Sequence, residues 1–129
     1  CGRGIKTDRQ LKTNIDNVYA IGDCAEVDGH VLVYVAPLMA AARALAATLT
    51  GTPTDVAYPA MPVTIKTPAC PVCVSPVGRD TEGSWEISGE APDIKALFHN
   101  PAGELLGFAL TGQAVKERMP LTKQLPDIL

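Results

Sequence analysis

The chain has 129 residues, 47% of them hydrophobic but only 5% aromatic, and a net charge of −3. Such a composition builds a core of Val, Ile, Leu and Ala, and it carries no basic stripe interleaved with aromatics, which excludes nucleic acid as a partner. Four cysteines at 1, 24, 70 and 73 are too sparse for a secreted disulfide scaffold, so a reducing cytoplasm is the expected setting. The chain begins with Cys1, and no entry signal follows; we read this as a break inside a longer protein.

Residues 4–13 read as two short extended pieces around a turn that Asp8 holds through its own side chain. A polar turn, Asn14 to Asn17, precedes Val18-Tyr19-Ala20-Ile21, an uncharged β-prone run that suits a strand buried on both faces. This strand delivers Gly22-Asp23 to its carboxyl end, where ligands sit in open α/β sheets. Gly22 to Gly29 reads as a loop, and Val31 to Val35 as apolar and β-prone. A helix is expected from Pro37, the favoured first helical residue, with Leu38, Ala41, Ala42, Leu45 and Leu49 at helical spacing and Gly51 as its stop. Its free N-terminal N–H groups and macrodipole favour negative charge. Val31 to Leu49 is not read as a membrane span, because Pro37 interrupts it and Arg43 within it costs about 2.5–3.5 kcal/mol on insertion.

Prolines at 53, 59, 62, 68, 71 and 76 mark a change of character, with a boundary near 52–60. Beyond it, Val63 to Lys66, Trp85 to Ser88, Ile94 to Phe98 and Leu105 to Thr111 read as strands. The last two are joined as a hairpin through Asn100-Pro101-Ala102-Gly103. Gln113 to Leu125 reads as a final helix that Pro120 interrupts or restarts. The expected fold is α/β to α+β. Residues 1–56 supply strands and one Ala-rich helix, and residues 57–129 form a small antiparallel sheet with a C-terminal helix.

Several side chains invite chemistry. Lys66 lies in an otherwise apolar strand, where its stem packs and its head reaches water. Cys70-Pro71-Val72-Cys73 lacks the helix N-terminus that lowers a redox thiol's pKa and lacks a second ligand pair for zinc, so buried inert thiols are expected. Asp23, Glu26 and Asp28 do not make a calcium loop, because Cys24 stands where an alternate oxygen ligand is needed. No metal site is expected. Lys116, Arg118 and Lys123 give the last helix positive charge that Glu117 dilutes, and a solvated face is the simpler reading.

Thr13 together with Val18 to Asp23 resembles the second flavin motif of the two-dinucleotide-binding pyridine nucleotide–disulfide oxidoreductases: Thr, an apolar pair, Ala, a small residue, Gly, Asp. Cys1 to Ile5, Gly22 to Gly29, Pro37 to Met39 and Pro62 to Pro71 together resemble NAD-dependent rubredoxin reductases, aligning with the last third of such an enzyme. The resemblance is weakest from 77 to 100. It implies an FAD-dependent reductase that takes hydride from NADH and passes single electrons to rubredoxin or a similar small carrier. It implies that Gly22 and Asp23 bind the cofactor, with Asp23 on a ribitol hydroxyl. Backbone N–H groups around Val35, Ala36 and Leu38 would face the flavin's pyrimidine edge, and Lys66 would tune the ring. No Gly-x-Gly-x-x-Gly occurs in the chain, so the adenine half of FAD and NADH would bind on other segments of the parent chain. The competing expectation is a non-catalytic folded module for packing, dimerisation or partner docking.

Overall fold

The computed structural model describes all residues from 1 to 129. The chain divides into two compact units, Cys1–Pro59 with Ile128–Leu129, and Ala60–Asp127.

The first unit is built on a short parallel pair, β1 (Ile5–Thr7) and β2 (Ala25–Val27), in the register Ile5↔Ala25, Lys6↔Glu26, Thr7↔Val27. Between them the Asp8 carboxylate accepts the Gln10 and Lys12 N–H groups at 2.9 and 3.0 Å, forming the expected turn. Thr13 Oγ1 accepts Ile15 N–H at 3.1 Å and donates to Val18 O at 3.0 Å, closing the polar turn. The expected buried strand at Val18–Ile21 is absent. Only an isolated antiparallel bridge, Lys12↔Tyr19, forms there, and Val18 is exposed. Asn17 and Gly22 both take positive φ, 62° and 76°, so the run is bent at both ends and too short to extend a ladder. The strand lies instead inside the expected loop, after Gly22-Asp23, as β2.

Val31 to Val35 forms no strand either. Helix α1 spans Val35–Leu49 and starts two residues before the expected Pro37. Pro37 fits there because the third helical N–H is among those without an intrahelical partner. At the other end Gly51, with φ 95°, donates to Thr48 O at 3.2 Å, and Thr52 donates to Ala47 O at 2.9 Å. This is the Schellman pattern that the glycine predicts. Leu11, Ala20, Ala25, Val27, Ala41, Ala44, Val56 and Tyr58 are the buried apolar residues of this unit. Tyr58 ties down the C-terminus by accepting from Ile128 N–H at 2.7 Å and donating to Leu129 O at 3.0 Å. No helix of the chain is long and apolar enough to cross a membrane.

The second unit is a five-stranded antiparallel sheet of β3 (Val63–Ile65), β4 (Val72–Ser75), β5 (Ser84–Glu90), β6 (Asp93–His99) and β7 (Leu105–Thr111), in the order β3-β4-β7-β6-β5. Strand β4 was not expected, because Pro71 and Pro76 bracket it. The β6–β7 hairpin closes as predicted: Asn100 Oδ1 accepts the Ala102 and Glu104 N–H groups at 3.0 and 2.9 Å, and Gly103 takes φ 84°. The core of this unit joins Cys73, Leu105, Phe108 and Leu110 of the sheet to Val115 and Leu121 of the C-terminal segment. That segment is a 3-10 stretch, Gly112–Glu117, and then α2 (Arg118–Thr122). The break therefore falls before Arg118, and Pro120 sits in the first turn of α2, where its missing N–H costs nothing.

Candidate functional site

Gly22–Cys24 forms a 3-10 turn between the Lys12↔Tyr19 bridge and β2. This turn raises Asp23 into solvent, where its carboxylate accepts no hydrogen bond from the chain. Gly22 brings the turn onto the start of α1. A Cβ at Gly22 would stand 3.3 Å from Leu38 Cδ1. The void beneath, lined by Gly22, Ala25, Pro37, Leu38 and Tyr58 among others, has a volume of about 10 Å³. That holds about one water, so turn and helix are packed together.

The helix start is uncapped. Tyr34 precedes it in extended conformation with no side-chain cap. The N–H groups of Val35 and Ala36 are thus left for an outside acceptor, at the positive end of a 15-residue helix. Leu38 lies two residues beyond Ala36, where, contrary to the expectation that it faces a ligand, its N–H closes the first intrahelical turn and its side chain meets Gly22. An unpartnered carboxylate, a glycine where a side chain would crowd, and free helical N–H groups fit the donor–acceptor edge of a flavin and its ribitol. The structure brings together Gly22, Asp23, Val35, Ala36 and Leu38 within one unit. Lys66 belongs to the other unit, one residue beyond β3, exposed and without an ion pair.

Glu26, in the middle of β2, was not singled out by the sequence except as a rejected calcium ligand. Its Oε2 accepts the N–H groups of Arg3 at 2.7 Å and Gly4 at 3.0 Å. Those bonds hold its pKa below the ordinary carboxylate value: the Gly4 N–H contributes most, burial opposes it, and the Arg3 N–H and the Lys6 and Arg3 charges add to the lowering. Asp28 is engaged elsewhere, by Arg9 Nε at 3.3 Å. Asp23, Glu26 and Asp28 therefore do not converge, and no cluster of metal-binding side chains forms in the chain. No local signal marks Glu26, because its donors, Arg3 and Gly4, lie 23 and 22 residues upstream.

All four cysteines are free. Cys73 is fully buried, as expected of an inert thiol, whereas Cys70 is only half-buried, which corrects the expectation for that residue. Neither is at a helix N-terminus. Glu117, expected to dilute the charge of the last helical segment, is bound by Lys95 at 2.9 Å.

The profile of the rubredoxin binding C-terminal domain matches residues 55–125, and that of the pyridine nucleotide-disulphide oxidoreductases matches residues 1–47. The chain is 60% identical over 127 residues to the rubredoxin-NAD(+) reductase of Alcanivorax borkumensis and 49% identical over 128 residues to that of Acinetobacter baylyi. Each alignment covers 98% of this chain and 33% of the relative, so the chain spans about one third of the length of these curated relatives. Among solved structures, NADH:rubredoxin oxidoreductase from Clostridium acetobutylicum superposes with a TM-score of 0.77 at 17% identity, over 97% of this chain and 33% of that one. The structure of a covalent putidaredoxin reductase–putidaredoxin complex does so with a TM-score of 0.75 at 20% identity, over 98% of this chain and 32% of that one. At these identities the superpositions speak for the fold. With more than half of its length matched by the first profile, this chain belongs to the family of the rubredoxin binding C-terminal domain.

Proposed function

We propose that the chain forms the C-terminal third of a cytoplasmic flavoprotein reductase that carries electrons from NADH through FAD to rubredoxin or a similar small one-electron carrier. In this reading residues 1–56 complete the FAD-binding domain and residues 57–129 form the α+β domain that follows it. The observation that carries it is the packing of the Gly22–Cys24 turn, with its free Asp23 carboxylate, on the uncapped start of α1. Four free cysteines suit a reducing cytoplasm.

When bound, FAD supplies the step that accepts an electron pair and releases electrons singly. The chain's own residues bind and orient it. Asp23 accepts a hydrogen bond from a ribitol hydroxyl, and Gly22 lets the backbone come close. The Val35 and Ala36 N–H groups donate to the pyrimidine edge, and the Leu38 side chain packs against Gly22 and holds the turn on the helix. The positive end of α1 then favours negative charge on the reduced ring. We assign Lys66 to the same charge, as a tuning residue. Segments of the parent chain outside these 129 residues hold the adenine half of FAD and NADH, because this chain has no Gly-x-Gly-x-x-Gly.

The test uses a chain extended to the length of the relatives. It should purify with flavin bound. D23A should lose most of that flavin while its second unit still unfolds normally, and K66M should keep the flavin but shift its reduction potential. Full flavin occupancy in D23A would overturn the assignment, and an unchanged potential in K66M would remove Lys66 from it. Adding FAD to the 129-residue chain alone should leave its melting temperature unchanged. An extended chain without any flavin would favour the non-catalytic module.

A further inference from the structure

We propose that Glu26 is a positioning residue whose carboxylate latches the Gly2–Gly4 segment to β2 and thereby fixes the turn that presents Asp23. The role in cofactor binding rests on the flavin reading above; the latch itself does not.

The parallel register supplies the geometry. Ile5 pairs with Ala25, so the residues just before each strand, Arg3-Gly4 and Asp23-Cys24, lie at the same end of the ladder. With only three residues on each side, this pair cannot fix its own end, because isolated two-stranded ladders are marginal. Glu26 supplies what the ladder lacks. Its Oε2 receives two consecutive backbone N–H groups, the arrangement that forms an anion-binding nest, here filled by the chain's own carboxylate. The segment it holds lies hard against the Asp23 turn. A Cβ at Gly4 would stand 2.8 Å from the Cys24 carbonyl oxygen, and one at Gly2 would stand 2.5 Å from Glu26 Oε2. Gly4, which faces backbone, therefore needs glycine for close approach, whereas at Gly2 the neighbour is the movable end of the Glu26 side chain; Gly4 touches the backbone one residue after Asp23. A binding carboxylate must be held to within about 0.5 Å to be useful, which a frayed ladder end cannot do. Glu26 acts through Asp23 and is not itself placed on the cofactor.

Two measurements decide the proposal. The first uses backbone resonances and amide exchange of the 129-residue chain, with no cofactor present. E26A should shift the resonances of Gly22, Asp23 and Cys24 and speed exchange at Arg3 and Gly4 by about tenfold, as loss of a bond to a charged acceptor implies. E26Q, which keeps an acceptor oxygen, should restore most of both. G4A leaves Glu26 in place but drives a methyl group at the Cys24 carbonyl, and it should displace the same three resonances, so the proposal survives a poorly folded E26A. Unmoved Gly22–Cys24 resonances in E26A and G4A would overturn it. The second is the FAD dissociation constant of the extended chain. E26A should weaken binding about tenfold in the wild-type background and have no further effect in D23A, since residues acting through one another are non-additive. Equal losses in both backgrounds would overturn the action through Asp23. Failure of the wild-type extended chain to bind FAD would overturn the cofactor half and the flavin reading together, while the resonances decide the latch independently.

Discussion

Gly22 and Leu38 meet at the junction of turn and helix: at a backbone φ of 76°, Gly22 leaves only 3.3 Å between the place of a Cβ and Leu38 Cδ1. Two separate demands, left-handed backbone and close approach, thus fall on one residue. The contact sets how far the Asp23 turn stands from the first N–H groups of α1. Gly22→Ala should destabilise the first unit by about 1–2 kcal/mol through the left-handed backbone alone. Urea unfolding followed by helix circular dichroism checks this, since α1 is the one long helix. A variant as stable as the parent would mean that the turn relaxes freely away from the helix.

Thr7 closes β1 with its side chain buried, and its Oγ1 has no hydrogen-bond partner. A buried hydroxyl without a partner bears its full desolvation cost, about 1–3 kcal/mol. Val has nearly the same shape, keeps the β-branch and removes that cost. Thr7→Val should therefore raise stability by about 1 kcal/mol. A loss of stability in the same urea experiment would mean that the hydroxyl does find a partner.

Glu26 gives the first unit a dependence on pH. In the folded chain its pKa lies below the ordinary 4.5, chiefly through the Gly4 N–H and then through the Arg3 N–H and the charges of Lys6 and Arg3. The unfolded chain thus takes up a proton near pH 4.5 that the folded chain still refuses. The stabilisation is complete above that pH and is lost as the pH falls through the folded value. Glu26→Gln cannot titrate, so the stability difference between parent and variant should shrink on acidification below 4.5. A difference that stays constant across that range would mean that the two N–H bonds do not discriminate the carboxylate from the acid.

What could be read from the sequence divides along the range of the interactions. The Schellman stop at Gly51, the Asp8 turn and the Asn100 to Gly103 hairpin were legible because each is closed within a few residues by its own side chain or glycine. Strands β5, β6 and β7 were legible for the same reason, since turn residues separate them cleanly. The run Val18–Ile21 was misread because its composition suits a buried strand while its ends are bent, and β4 was hidden between two prolines. The start of α1 was displaced because proline is tolerated at several first-turn positions. In the site, Asp23 stood out through a local motif, but Glu26 did not: its partners lie 22 and 23 residues upstream, and no local pattern encodes a carboxylate reaching that far back.

Phe108 offers the sharpest test of the second unit. It is fully buried on β7, paired across to Ser75 of β4 and Leu97 of β6, at the centre of the sheet. Trp85, the one tryptophan, lies in the same unit on β5, its ring edge-on to Phe98 at 5.3 Å between centroids. Its fluorescence therefore reports this sheet. Truncating a buried Phe removes its transfer energy and leaves a cavity that packed strands cannot close, at a cost of about 3–5 kcal/mol. Phe108→Ala should lower the urea midpoint of the Trp85 signal accordingly, while Phe108→Leu, which refills most of the space, should cost much less. The helix signal of α1 belongs to the other unit and gives an internal reference. A Trp85 midpoint that Phe108→Ala leaves unmoved would place the core of the sheet elsewhere than on β7.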